Sequence, residues 1–105
     1  MNDLWKNIDI NCDLGEGIAN ESDIMNYITS CNIACGGHFG DRSTFKETAR
    51  KAFDNNLKIG IHPSYPDKIN FGRKSLTINN YDLISALNEQ IELGLNCAEE
   101  LNIPH

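Results

Sequence analysis

The chain has 105 residues, 9 Lys and Arg against 15 Asp and Glu, and a formal charge of −6. That length suits one domain, and the acidic balance argues against nucleic acid or an anionic membrane as the main partner. No apolar run approaches the roughly 20 residues of a membrane span, and the first residues lack the basic-then-apolar layout of a signal peptide, so a cytoplasmic location is the expectation.

Met1 to Asn7 reads as a leader. Ile8 to Cys12 is the first predicted strand, and Asp13-Leu14-Gly15-Glu16-Gly17 follows it as a glycine-rich turn carrying two carboxylates. Glu21 to Tyr27 reads as a short helix with Asn20 or Ser22 as its cap and Ile24, Tyr27 and Ile28 as its apolar face. Ile28 to Cys35 is the second strand, nearly continuous in small and apolar residues, as a strand covered on both faces should be. Gly36-Gly37-His38-Phe39-Gly40 then turns the chain, and glycines on both sides let His38 leave the strand and face a cavity.

Asp41 is the expected cap of a helix to about Asn55. Phe45, Ala49, Ala52 and Phe53 recur at helical spacing and form its apolar face. Leu57 to Ile61 is the third strand, ended by His62-Pro63 because proline cannot donate to a sheet. Pro63 to Ile78 is a long loop of the kind that is often functional. Asn79 caps the last predicted helix, with Asp82 completing a short-armed capping box. Leu83, Leu87, Ile91, Ala98 and Leu101 are its expected buried face; Gly94 costs it about 1 kcal/mol relative to alanine.

Strands alternating with helices predict an α/β fold with a parallel sheet and right-handed crossovers. Ligands of such sheets collect at the carboxyl ends of the strands. Asp13, His38 and His62 then share one rim. Cys12, Cys31, Cys35 and Cys97 have neither the spacing of common zinc sites nor an oxidising context, and read as free thiols, mostly buried.

The residues suggest several chemistries. His38 and His62 with Asp13 suit zinc or another divalent ion with an open position for water. Asp13 and Glu16 suit a general acid and base, one kept neutral by the other's charge. Alternatively, the histidines hold no metal and bond backbone or substrate, and one of the two carboxylates serves the amides of the glycine turn. Asp41 is a helix cap that can also orient His38. Arg73, in the long loop, has the donor fork that matches a carboxylate; Tyr65 and Asp67 are weaker candidates of the same kind. Gly36, Gly37 and Gly40 fit neither a Walker motif nor a dinucleotide fingerprint.

Asp9-Ile-Asn-Cys-Asp-Leu-Gly-Glu-Gly17, Ser30-Cys-Asn-Ile-Ala-Cys-Gly-Gly-His-Phe-Gly-Asp41, Gly60-Ile-His-Pro-Ser-Tyr-Pro-Asp67 and Phe71-Gly-Arg73 together resemble the LamB/YcsF family, whose members are the A subunit of bacterial 5-oxoprolinase. The resemblance implies ATP-dependent opening of 5-oxoproline to L-glutamate, using ATP with Mg, and separate B and C subunits. It implies a partial (β/α) barrel of the glycoside hydrolase and deacetylase type, with residues 1–105 forming one domain, its amino-terminal part. Asp13, Glu16, His38 and His62 become catalytic candidates, and Asp41, Tyr65 and Arg73 candidates for binding substrate. The chain departs from the family in a shorter Gly17–Ile28 segment, in Phe39 at a position where a small residue is common, and in ending at His105 before a further Lys-Pro-His-Gly strand end. The alternatives are a metal-dependent carbohydrate or amide deacetylase-like hydrolase, and a non-catalytic assembly module. A half barrel leaves open sheet edges, so association with another copy or another chain is expected.

Overall fold

The computed structural model describes residues 8–71 and 77–104. The elements follow in the order β1 (Asn11–Leu14), α1 (Glu21–Ile24), β2 (Ser30–Ala34), α2 (Arg42–Asp54), β3 (Lys58–His62) and α3 (Asn80–Glu100). The strands form one parallel sheet in the order β1-β2-β3, so the predicted α/β alternation holds.

The strand bounds shift. β1 starts three residues later than the sequence suggests and runs through Leu14. Upstream, the Ile10 carbonyl already accepts from Thr29 and Ser30 amides, while the Asp9 carboxylate accepts from the hydroxyls of the same two residues. Those hydroxyls hold the Asp9 carboxyl below the usual carboxylate range. The sheet therefore takes Asp13 into β1, opposite Asn32, instead of leaving it just past the strand. His62 likewise is the last residue of β3, opposite Ala34.

Strand periodicity sorts the two faces. Leu14, Cys31 and Ile33 enter the buried apolar core, with Cys12, Ile59 and Ile61 packed against it. The other face carries Asn11 and Asp13, Ser30 and Asn32, Gly60 and His62. A hydrogen-bonded ladder crosses it: Asn32 Nδ2 donates to Asn11 Oδ1, Asn11 Nδ2 to Ser30 Oγ, and Ser30 Oγ to Asp9. A sheet polar on one face and apolar on the other holds its register, because a one-residue slip would bury the ladder.

α2 packs Phe45, Ala49 and Ala52 into the core, as the spacing predicts. Phe53 is 44% exposed and lies off that face. Asp41 caps α2 through a full capping box: its carboxylate accepts from Thr44 N, and Thr44 Oγ1 accepts from Asp41 N. The Thr44 amide is the main reason the Asp41 carboxyl titrates below its ordinary range. Three other expectations need correction. α1 is a single turn, shorter than predicted; Asn20 starts it in the left-handed region at φ 74° with no side-chain cap, and Tyr27 is exposed. At α3, Asn79 does cap Asp82 N, but the return bond comes from the Asn79 amide to the Asp82 carboxylate and not from backbone. The fully buried positions of α3 are Gln90, Gly94 and Cys97, while Leu83, Leu87, Ile91, Ala98 and Leu101 are only half-buried.

Gly94 explains why the buried face runs through Gln90, Gly94 and Cys97. A Cβ there would lie 2.5 Å from Ile61 Cγ2 and 3.4 Å from Phe45 Cζ. The helix gives up propensity at Gly94 to approach β3 and α2 closely. Arg42 and Lys46 of α2 both reach the Glu100 carboxylate near the far end of α3. Among the described residues, no helix is long and apolar enough to cross a membrane.

Candidate functional site

The site forms where β1 and β2 leave the sheet and β3 ends. After Leu14, Gly15 and Gly17 take φ +72° and +77°, reversing the chain so that Glu16 turns back over the sheet end. The Gly15 and Glu16 amides both donate to the Glu21 carboxylate, at 3.0 and 3.1 Å. The glycine turn's amides are thus satisfied by Glu21, not by Asp13 or Glu16, whose carboxylates were the sequence candidates for that task. After β2, Gly36 and Gly40 at φ +106° and +89° carry the loop that presents His38.

His38 is 2% exposed, and both of its ring nitrogens are engaged. Nε2 lies 2.5 Å from Glu16 Oε2, and Nδ1 lies 2.9 Å from Ser64 Oγ. His62 stands beside it, with ring centroids 4.5 Å apart. The His62 Nδ1 atom is buried without a hydrogen-bond partner among the described residues; it lies 3.6 Å from Glu16 Oε2 and 3.8 Å from Asp13 Oδ2. Phe71 meets the His38 ring edge-on at 4.8 Å. Phe39 lies against Gly17, where a Cβ would come within 2.6 Å of the Phe39 ring, so the large residue at this position is matched by the glycine opposite.

Glu16, His38 and His62 each offer one ligand atom within 4.8 Å of one another. The structure therefore brings together both histidines and Glu16, while Asp13 sits at the rim, its side chain about half exposed, 3.8 Å from His62 Nδ1. Asp41 is occupied in capping α2, and His38 takes its orientation from Glu16 and Ser64 instead. Tyr65 is exposed; its carbonyl accepts from Ser64 Oγ at 3.1 Å. Asp67 is buried: Oδ1 accepts from Asn70 N, and Oδ2 has no partner among the described residues. Arg73 lies outside the described residues.

Sequence reasoning missed Ser64, Glu21 and Gln90. Gln90 reaches from α3 to the Ser64 backbone; its signal was a polar residue on the apolar face of a helix. All four cysteines are free. Burial pushes the Cys31 and Cys35 thiols up to about 11, which suits packing and not nucleophilic chemistry.

The profile of the LamB/YcsF family matches residues 8–104. Among solved structures, the chain is similar to a lactam utilization protein from Thermus thermophilus: 26% sequence identity, a TM-score of 0.86, and coverage of 92% of this chain and 41% of that one. The chain thus spans about two fifths of the length of that relative.

Proposed function

Because the chain belongs to the LamB/YcsF family, we propose that it is a component of an ATP-dependent 5-oxoprolinase, opening 5-oxoproline to L-glutamate together with B and C subunits. The observation that carries this reading is the clustering of Glu16, His38 and His62 at the carboxyl ends of parallel strands, where such sheets hold their ligands. The similarity to a protein named for lactam utilization supports the substrate class, since 5-oxoproline is a lactam.

A lactam carbonyl is a poor electrophile. Transfer of the γ-phosphoryl of ATP to the amide oxygen, with ADP leaving, activates the ring carbon. Water then adds there and gives up its proton, the C–N bond breaks as the nitrogen takes a proton, and a second water hydrolyses the resulting γ-glutamyl phosphate to L-glutamate and phosphate. The Glu16 carboxylate is suited to take the proton from the first water, with His38 Nε2 holding its Oε2 in place and His62 beside it. Asp13, half-exposed and 3.8 Å from His62 Nδ1, is the candidate to give a proton to the leaving nitrogen. Arg73, for its fork of donors, is the candidate for holding the substrate carboxylate, with Tyr65 a weaker one; Asp41, an anion engaged in capping α2, suits a donor group of the substrate instead. We assign the nucleotide, with its Mg, to a partner subunit, because Gly36, Gly37 and Gly40 fit no phosphate-binding motif and the Gln90 side chain fills the space beside Gly37.

A second reading has its own observation. The donor set of one carboxylate and two imidazoles, with the buried His62 Nδ1 that has no hydrogen-bond partner among the described residues, fits a divalent ion such as zinc. A bound ion would supply a polarised water, as in a deacetylase-like hydrolase. Glu16 and not Asp13 would be its carboxylate ligand. β1 and β3 are the outer strands of the described sheet, and such edges require cover; association through them with another copy or another chain belongs to the alternative of an assembly module, and sedimentation as a single monomeric species would count against it.

The test is ATP-dependent glutamate release from 5-oxoproline by this chain mixed with B and C subunits, beside a full-length A subunit. Turnover abolished by His38→Ala and by His62→Ala supports the proposal. Silence beside a working control overturns it for this chain. Zinc that survives dialysis at one equivalent, with amide hydrolysis independent of ATP, moves the assignment to the second reading.

A further inference from the structure

Gln90 is 6% exposed on the inner face of α3, where an unpaired amide would be costly. Every polar atom of it is engaged. Its Nε2 donates to Ser64 O at 2.8 Å and to Ala86 O at 3.3 Å; its Oε1 accepts from Ser64 N at 2.9 Å and from Cys35 Sγ at 3.7 Å. Gln90 therefore grips both backbone groups of Ser64, as a neighbouring strand would, at a residue that lies just past the end of β3. Room for the amide comes from Gly37, next to His38: a Cβ there would fall 2.5 to 2.7 Å from the three amide atoms.

Ser64 passes this constraint on. Its hydroxyl has a single hydrogen, and the Tyr65 carbonyl accepts it at 3.1 Å. The Ser64 oxygen is then an acceptor toward His38 Nδ1 at 2.9 Å, which fixes the N–H on that side of the ring and turns Nε2 toward Glu16. We infer that Gln90 is a positioning residue of the site: by clamping the Ser64 backbone it sets the Ser64 hydroxyl, and through it the orientation of His38. The inference rests on His38 being a functional group of the proposed site.

The experiment is long-range proton–nitrogen NMR of the histidine rings on the whole chain, without substrate, in the wild type and in Gln90→Met, Ser64→Ala and Gln90→Glu. The wild type should show a protected, hydrogen-bonded Nδ1–H for His38. Ser64→Ala should lose it. Gln90→Met, which keeps the volume without the hydrogen bonds, should lose it as well while retaining the wild-type circular dichroism. Gln90→Glu, still able to accept from Ser64 N, should recover part of the signal. If Gln90→Met unfolds the chain, Gly37→Ala displaces the amide with Gln90 intact and should give the same loss. A wild-type His38 signal in Gln90→Met, or in Gly37→Ala where that variant replaces it, overturns the inference. Because no turnover is read, that failure is separate from any failure of the 5-oxoprolinase reading.

Discussion

Glu16 Oε2 lies 2.5 Å from His38 Nε2, and the same oxygen lies 3.6 Å from His62 Nδ1. One carboxylate oxygen thus faces both imidazoles in a site where His38 is almost wholly enclosed. Charge-assisted bonds of this kind are short, and stronger than neutral ones. Glu16→Gln keeps the shape but removes the charge. In the reconstituted 5-oxoprolinase assay it should lower kcat by about 10²- to 10⁴-fold, the usual worth of a positioned acid–base group. Asp13→Asn, altering a carboxylate that among the described residues pairs only with His62, and at 3.8 Å, should cost less. Equal losses in the two variants would mean that the Glu16–His38 pair is not the proton-handling unit.

Gly94 separates packing from propensity. Gly94→Ala should gain about 1 kcal/mol of helix propensity yet place a methyl 2.5 Å from Ile61 Cγ2, and overpacking of that kind costs about 1 to 3 kcal/mol. Net destabilisation in urea unfolding is expected. Ile61→Ala removes the opposing methyl, so the double variant should be more stable than the sum of the two single effects implies. Strict additivity would refute the close approach.

Much of this arrangement was legible in the sequence. Glycine-rich turns after apolar runs placed His38 and His62 at strand ends, and the capping pattern placed Asp41 at the start of α2. The choice between Asp13 and Glu16 was not legible, because it depends on whether the sheet ends before or after Asp13. That is decided by pairing with Asn32, which a single sequence does not display. The reach of Gln90 and Glu21 was hidden for a related reason. Each satisfies backbone groups of a residue distant in the chain or across a turn, and their neighbours in sequence mark them only as polar.

The buried thiols give a pH dependence with a definite sign. Burial raises Cys31 and Cys35 from 9.0 to about 11, so the folded chain holds these protons more tightly than the unfolded one. Their contribution to stability is complete below pH 9.0 and is lost as pH rises through about 11. The melting temperature should fall across that interval, in step with thiolate ultraviolet absorbance. Cys12, partly exposed, should alkylate first in the native chain at about pH 8, although burial and the Asp13 charge raise its thiol as well. Faster modification of Cys31 or Cys35 than of Cys12 would contradict the described core.

Glu21 makes the last prediction. Its carboxylate accepts from the Gly15 and Glu16 amides together, so it holds the backbone of the residue that faces His38. Glu21→Ala leaves two amides to find water and frees the turn, at a cost of about 1 to 3 kcal/mol for an unmade bond at a partly buried donor. Glu21→Gln keeps one acceptor oxygen and replaces the other with a donor, so only one of the two amides stays served. Hydrogen exchange should therefore quicken at both amides in Glu21→Ala and mainly at one in Glu21→Gln. Activity should fall in the same order, since Glu16 loses its fixed position before it loses its charge. Unchanged protection of Gly15 and Glu16 in Glu21→Ala would show that the glycine conformations alone, at φ +72° and +77° on either side of Glu16, are enough to hold the turn.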